Sequence, residues 1–155
     1  MIPKIDQSGK IEQTNKDTIL CISNDGWDAV TIKANIKRQT QEIFRRHGQT
    51  RNFVLFTFSA GLAILIKRNL KNTHIIIDRE YYGKEPVIKE IVLEILQRSK
   101  KIPEIRFEFI GKKPLAHHRA YAIGLGKLKT KKSVTLEELW TELKKTEVVK
   151  RLKNA

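Results

Sequence analysis

The residues best suited to chemistry are acids that close short apolar runs. Ile75-Ile76-Ile77 is a β-branched stretch fit for a strand buried on both faces, and it ends on Asp78. In open α/β sheets, ligand sites lie beyond the carboxyl ends of the strands, so Asp78 falls where a site is built. Glu80 follows two residues later and, if the strand continues, points to the same face. Carboxylates gathered in this way are natural ligands for hard cations. The other reading of Asp78 is a strand-end residue capping the next turn. A third acid, Asp6, precedes Ser8-Gly9, where aspartate is also a common turn former. His117 and His118 stand side by side at the start of a helical pattern, and either ring could serve.

These side chains need a scaffold, and its elements can be read in order. Lys4 to Ile11 reads as strand, tight turn, strand, with Ser8-Gly9 at the turn. Thr18 to Ser23 is a second apolar run, Asn24-Asp25-Gly26 a turn signal, and Ala29 to Ile32 a further strand. The N-terminal third is therefore expected to be an antiparallel meander of three strands. Asn35 to His47 is helical, with Ile36, Thr40, Ile43 and Phe44 on one side and Gly48 as its stop. Phe53 to Leu70 suits a buried helix by its length. After the Ile75–Asp78 strand, Val87, Ile88, Ile91, Val92, Ile95 and Leu96 recur at helical spacing. Ile105 to Ile110 alternates as a half-buried strand does. A basic turn leads to a helix from Leu115 to about Leu125, stopped by Gly126. Thr135-Leu136-Glu137-Glu138 is a capping-box sequence that starts a last helix, with Leu139, Trp140 and Leu143 inward.

The chain of 155 residues suits one α/β domain over 1–155, with 134–155 expected as an appended C-terminal helix. Its formal net charge is +14, which is self-repelling unless the partner is an anion; a polyphosphate chain, DNA or RNA, is the expected partner. A membrane is not expected, because no amphipathic helix sets bulky aromatics opposite lysines. The apolar run Phe53 to Ile66 is broken by Thr57, Ser59 and Gly61 and is short for a bilayer span. The single cysteine, Cys21, excludes an internal disulfide and reads as a core residue of an intracellular, cytoplasmic protein. No P-loop, dinucleotide fingerprint, HExxH or paired CxxC occurs, so nucleotide-hydrolase, dehydrogenase and zinc-module chemistries lack their residues.

The element order resembles the ribonuclease H-like fold. Ile5-Asp6-Gln7-Ser8 is similar to the first-strand I-D-x-S of Argonaute/Piwi nuclease domains, and Ile75–Asp78 to the strand carrying their second aspartate. Ala116-His117-His118-Arg119-Ala120 is similar to the A-H-x-x-A that opens their histidine-bearing helix. The resemblance extends to about Lys127 and leaves out the nucleic-acid-anchoring domains of Argonautes. It implies a ribonuclease H-like mixed sheet and a divalent-metal-dependent nuclease using Mg²⁺ or Mn²⁺. Asp6, Asp78 and His117 are the implied catalytic residues. Asp6 would bridge two metals, Asp78 bind one and His117 the other, with Glu80 acting through a water or in place of Asp78. Phosphodiester hydrolysis needs an activated water and neutralised phosphoryl charge, which two cations roughly 4 Å apart supply.

Lys112, Lys113, Arg119, Lys127, Lys129, Lys131 and Lys132 cluster in sequence around this expected site and are candidates for phosphate contacts. Tyr81 and Tyr82 are candidates for stacking on bases. Asp25 and Asp28 flank a hairpin turn and are expected to be structural. Two other functions fit the same residues: a non-catalytic nucleic-acid-binding module on this fold, and a basic accessory subunit of a nucleoprotein complex.

Overall fold

Runs of β-branched residues make the strands, and their register makes one six-stranded mixed sheet in the computed structural model, which describes residues 2–112 and 114–152. Strands β1 (Lys4–Ser8), β2 (Thr18–Ser23) and β3 (Trp27–Ile32) form the antiparallel meander expected from the sequence. β4 (His74–Asp78) lies parallel to β1 on its other side, and β5 (Glu104–Glu108) parallel to β4. A two-residue strand, β6 (Lys132–Ser133), pairs in parallel with β3. The order across the sheet is β5-β4-β1-β2-β3-β6.

The helices are α1 (Ala34–Arg46), α2 (Phe53–Lys67, after a 3₁₀ turn at Thr50–Asn52), α3 (Glu85–Leu96), α4 (Leu115–Gly124), α5 (Leu136–Leu143) and α6 (Glu147–Leu152). The main core joins one sheet face to α2, α3 and α5. Ile5, Leu20, Val30, Ile75, Ile77 and Ile105 meet Phe58, Leu62, Leu65, Ile91, Ile95 and Leu139 there. Each such side chain contributes about 1.5–3 kcal/mol when fully buried. α4 takes the opposite face, where Ala116 and Ala120 pack with Ile19, Cys21 and Ala29. Strand β2 is buried at every residue because it has helices above and below.

α2 is apolar on nearly every side because it lies between the sheet, α3 and α5. Counted with its preceding turn, Thr50–Lys67 reaches 18 residues, long and apolar enough by length and composition to cross a membrane, and most of it is buried. In this fold it is the central helix of the core.

Two expectations are overturned. No second strand follows Gly9; the backbone turns at φ +78° and runs as a loop to Asp17 before β2 begins. The hairpin reading fails because Lys10 and Ile11 are tied into turns rather than a ladder, with Gln13 N–H donating to Lys10 O at 3.0 Å. The C-terminal segment is neither one helix nor an appendage. Residues 136–152 form two helices, and Leu139, Leu143, Val149 and Leu152 belong to the main core. Trp140 packs 5.6 Å from Phe44 between ring centroids.

Candidate functional site

Register brings the acids together. Ile5 of β1 pairs with Ile77 of β4, and both enter the main core. Asp6 and Asp78, one residue further along each parallel strand, must then face the other side, where α4 lies. Glu80, just beyond β4, returns to the same place. One oxygen from each of Asp6, Asp78 and Glu80 lies within 4.8 Å of the others. Asp6 is 3 % exposed, and the other two are half-buried.

α4 carries the histidine to this group. Its N-terminus is fixed over β2 by the Ala116 N–H, which donates to Ser23 Oγ at 2.9 Å. The small residues Ala116 and Ala120 let the helix lie close to the sheet, and a Cβ at Gly124 would stand 3.1 Å from Ser8 Oγ. His117 Nδ1 then sits 2.8 Å from Asp6 Oδ2. The other oxygen, Oδ1, accepts the Gln7 N–H at 2.8 Å, and Asp78 Oδ1 accepts the Ile110 N–H at 3.0 Å. His118 is exposed and meets the His117 ring edge-on, 5.6 Å between centroids.

Burial first, and mutual repulsion after it, disfavour charge on two of these acids. Burial, a hydrogen bond shared with Asp78, and repulsion from Asp78 and Asp6 push Glu80 up to about 8. Burial also raises Asp6 above the ordinary carboxylate value, and repulsion from Asp78 adds to it, while the Gln7 N–H and the His117 ring pull the other way. Cys21, paired with Asp6 across β1 and β2, is no nucleophile. Burial first, then Asp28 and Asp6, push its thiol up to about 12, so it stays protonated.

The basic residues are placed differently from their sequence neighbourhood. Adjacent helical residues point about 100° apart, so Arg119 is turned to the opposite flank of α4 from His117. There its guanidinium lies 5.5 Å from the centre of the Trp27 ring, and Lys131 Nζ lies 4.3 Å from it. Lys132 belongs to β6 and pairs with Glu138 at 2.8 Å. Lys112, Lys127 and Lys129 are exposed on loops, and Lys113 lies outside the described residues. Sequence reasoning did not single out Trp27, because no local pattern foretells that α4 and the 127–132 loop converge on β3.

Other candidates are accounted for. The Tyr81 hydroxyl accepts the Ile11 N–H at 3.1 Å and donates to Glu12 Oε1 at 3.3 Å, while its ring meets Phe58 edge-on. It braces the turn after β1. Tyr82 is exposed. Asp28 is held by Arg68 at 2.8 Å and by Asn69 at 3.0 Å, the structural role expected of it. Glu108 pairs across the sheet with Asp78 but turns to Arg106 at 3.2 Å.

Comparison of the chain with protein-family models, with curated proteins and with solved structures finds no match.

The donor set itself suits a divalent cation. Three carboxylates within mutual reach offer the oxygen ligands that Mg²⁺ and Mn²⁺ take. A ring nitrogen nearby favours Mn²⁺ over Mg²⁺. His117 touches the group through Asp6 alone, so ligation by its Nδ1 would exchange that hydrogen bond for a metal bond.

Proposed function

We propose that this protein is a divalent-metal-dependent nuclease of ribonuclease H-like architecture, acting on DNA or RNA. The observation that carries the reading is the Asp6–Asp78–Glu80 group at the ends of two adjacent parallel strands, with His117 seated on Asp6. The meander followed by alternating helices and parallel strands supports it, being the arrangement the Argonaute/Piwi resemblance implies. The net charge of +14 supports a polyanionic substrate, since three acids stand together on a chain otherwise built to attract phosphate.

Each residue then has a task. Asp6 and Asp78 would hold a divalent cation through their carboxylate oxygens. Glu80, pushed up to about 8, would complete the oxygen set once it gives up its proton. His117 orients Asp6 through Nδ1. When bound, the cations supply neutralisation of the phosphoryl charge and an acidified water.

Single-turnover cleavage of labelled single-stranded and duplex DNA and RNA in Mn²⁺ tests the reading. Asp78→Asn and His117→Ala are expected to lower the rate by roughly 100-fold or more, as loss of a ligand or of its orienting partner does. His118→Ala should cost no more than about fivefold, one lost hydrogen bond. Wild-type rates in Asp78→Asn refute the site. Tight binding by a wild-type protein that cleaves none of the substrates makes it a non-catalytic binding module.

A further inference from the structure

A groove of about 570 Å³ opens beside the acidic site, between α4 and the loop that joins β1 to β2. Ligand pockets for groups the size of a nucleotide fall in this range. Its α4 wall follows from helical register. His117, Tyr121 and Leu125 are spaced i, i+4, i+8 and so form one stripe along the helix. The stripe begins on Asp6 and leads outward. The Tyr121 ring lies parallel to His117, 2° between planes and 6.4 Å between centroids. Tyr121 is 52 % exposed and Leu125 54 %, which leaves surface of the tyrosine ring open to a flat ligand.

The facing wall is a loop held from behind. Lys37 of α1 is fully buried and ties this loop to the start of β2: Nζ bonds Lys10 O at 3.1 Å, Gln13 O at 2.8 Å and, in β2, Thr18 Oγ1 at 3.0 Å. Arg38 adds a bond to Thr14 O at 2.8 Å, and Asp17 Oδ1 accepts the Ala34 N–H at the start of α1. At the neck Gly9 has φ +78°, and a Cβ there would stand 2.2 Å from Asp17 O, so only glycine closes the loop. With its backbone tied down, the loop lines the groove with exposed Gln13, Asn15, Lys16 and Asp17, the last with Oδ1 engaged by the Ala34 N–H. Two amides and an ammonium face an exposed aromatic ring: hydrogen-bonding groups for a base edge, a charge for a phosphate, and a stacking platform.

We infer that this groove is a nucleotide subsite for single-stranded nucleic acid, in which the base next to the scissile phosphate stacks on Tyr121 while Lys16 takes its phosphate. The inference rests on the nuclease reading for the direction in which the strand runs, from Asp6 outward. It commits to a single strand because a base paired within a duplex offers no free face to Tyr121.

The test is fluorescence anisotropy of labelled ten-nucleotide single strands, DNA and RNA, and of the matching duplex, in EDTA so that nothing is cleaved. Tyr121→Ala should weaken single-strand binding by roughly 10- to 100-fold, the range of one lost base–aromatic stack, and duplex binding by less than about twofold. Tyr121→Trp keeps a flat ring and should bind within about threefold of wild type. Unchanged single-strand affinity in Tyr121→Ala overturns the subsite, and so does an equal loss for strand and duplex. The expected pattern in a protein that cleaves nothing in Mn²⁺ upholds the subsite and refutes the nuclease.

Discussion

Glu80→Gln isolates the charge crowding at the site. In the unfolded chain Glu80 titrates near 4.5, and in the folded, cation-free protein near 8. Between these values the native state keeps a proton that the unfolded chain has released, so the cluster's contribution to stability falls as pH rises. The penalty is absent below about 4.5 and complete above about 8. At about 1.4 kcal/mol per pH unit the interval sets a ceiling of roughly 5 kcal/mol. Partial solvation of the half-buried side chain reduces this to roughly 1–2 kcal/mol. Glutamine keeps the shape and can donate to Asp78 without carrying charge. Thermal melts in EDTA should therefore show the variant level with wild type near pH 4.5 and higher by about 2–8 °C near pH 9, for a chain of this size. Mn²⁺ should close the gap by stabilising wild type at high pH more than the variant. A variant curve that runs parallel to wild type at all pH values, or below it near pH 9, refutes the raised Glu80.

Two predictions concern the scaffold. Gly9→Ala should lower stability in urea unfolding by about 2 kcal/mol or more, because φ +78° is strained for alanine and its Cβ would strike Asp17 O; an unchanged midpoint would show that the loop neck is loose. Leu139→Ala should cost about 2–5 kcal/mol by the same measurement, since α5 is part of the main core; a loss under about 0.5 kcal/mol would return the C-terminal segment to the status of an appendage.

Much of this molecule is written in short-range pattern. The isoleucines before Asp78 specify a buried strand because β-branched side chains pack on a pleated surface, and β4 forms there. Thr135 and Glu138 close the full capping box, and Gly48 and Gly126 take the positive φ that stops α1 and α4. These features need only neighbours within a few residues. Alternation places Asp6 and Ile5 on opposite faces of β1, but which strand lies beside β1 is a long-range pairing. Only that pairing brings Asp78 to Asp6. The phase of α4 is likewise tertiary: the contacts of Ala116 with Ser23 and of Gly124 with Ser8 turn His117 to the acids and send Arg119 to Trp27, so the basic run does not simply surround the site. No hairpin forms after Gly9, because a buried lysine from α1 takes the carbonyls of Lys10 and Gln13 that a ladder would use. A two-residue strand such as β6 has no period to read. Helix starts, stops and strand faces follow from local sterics and capping; the meeting of three carboxylates, an imidazole and an exposed tyrosine follows from packing between elements as much as 111 residues apart in the chain.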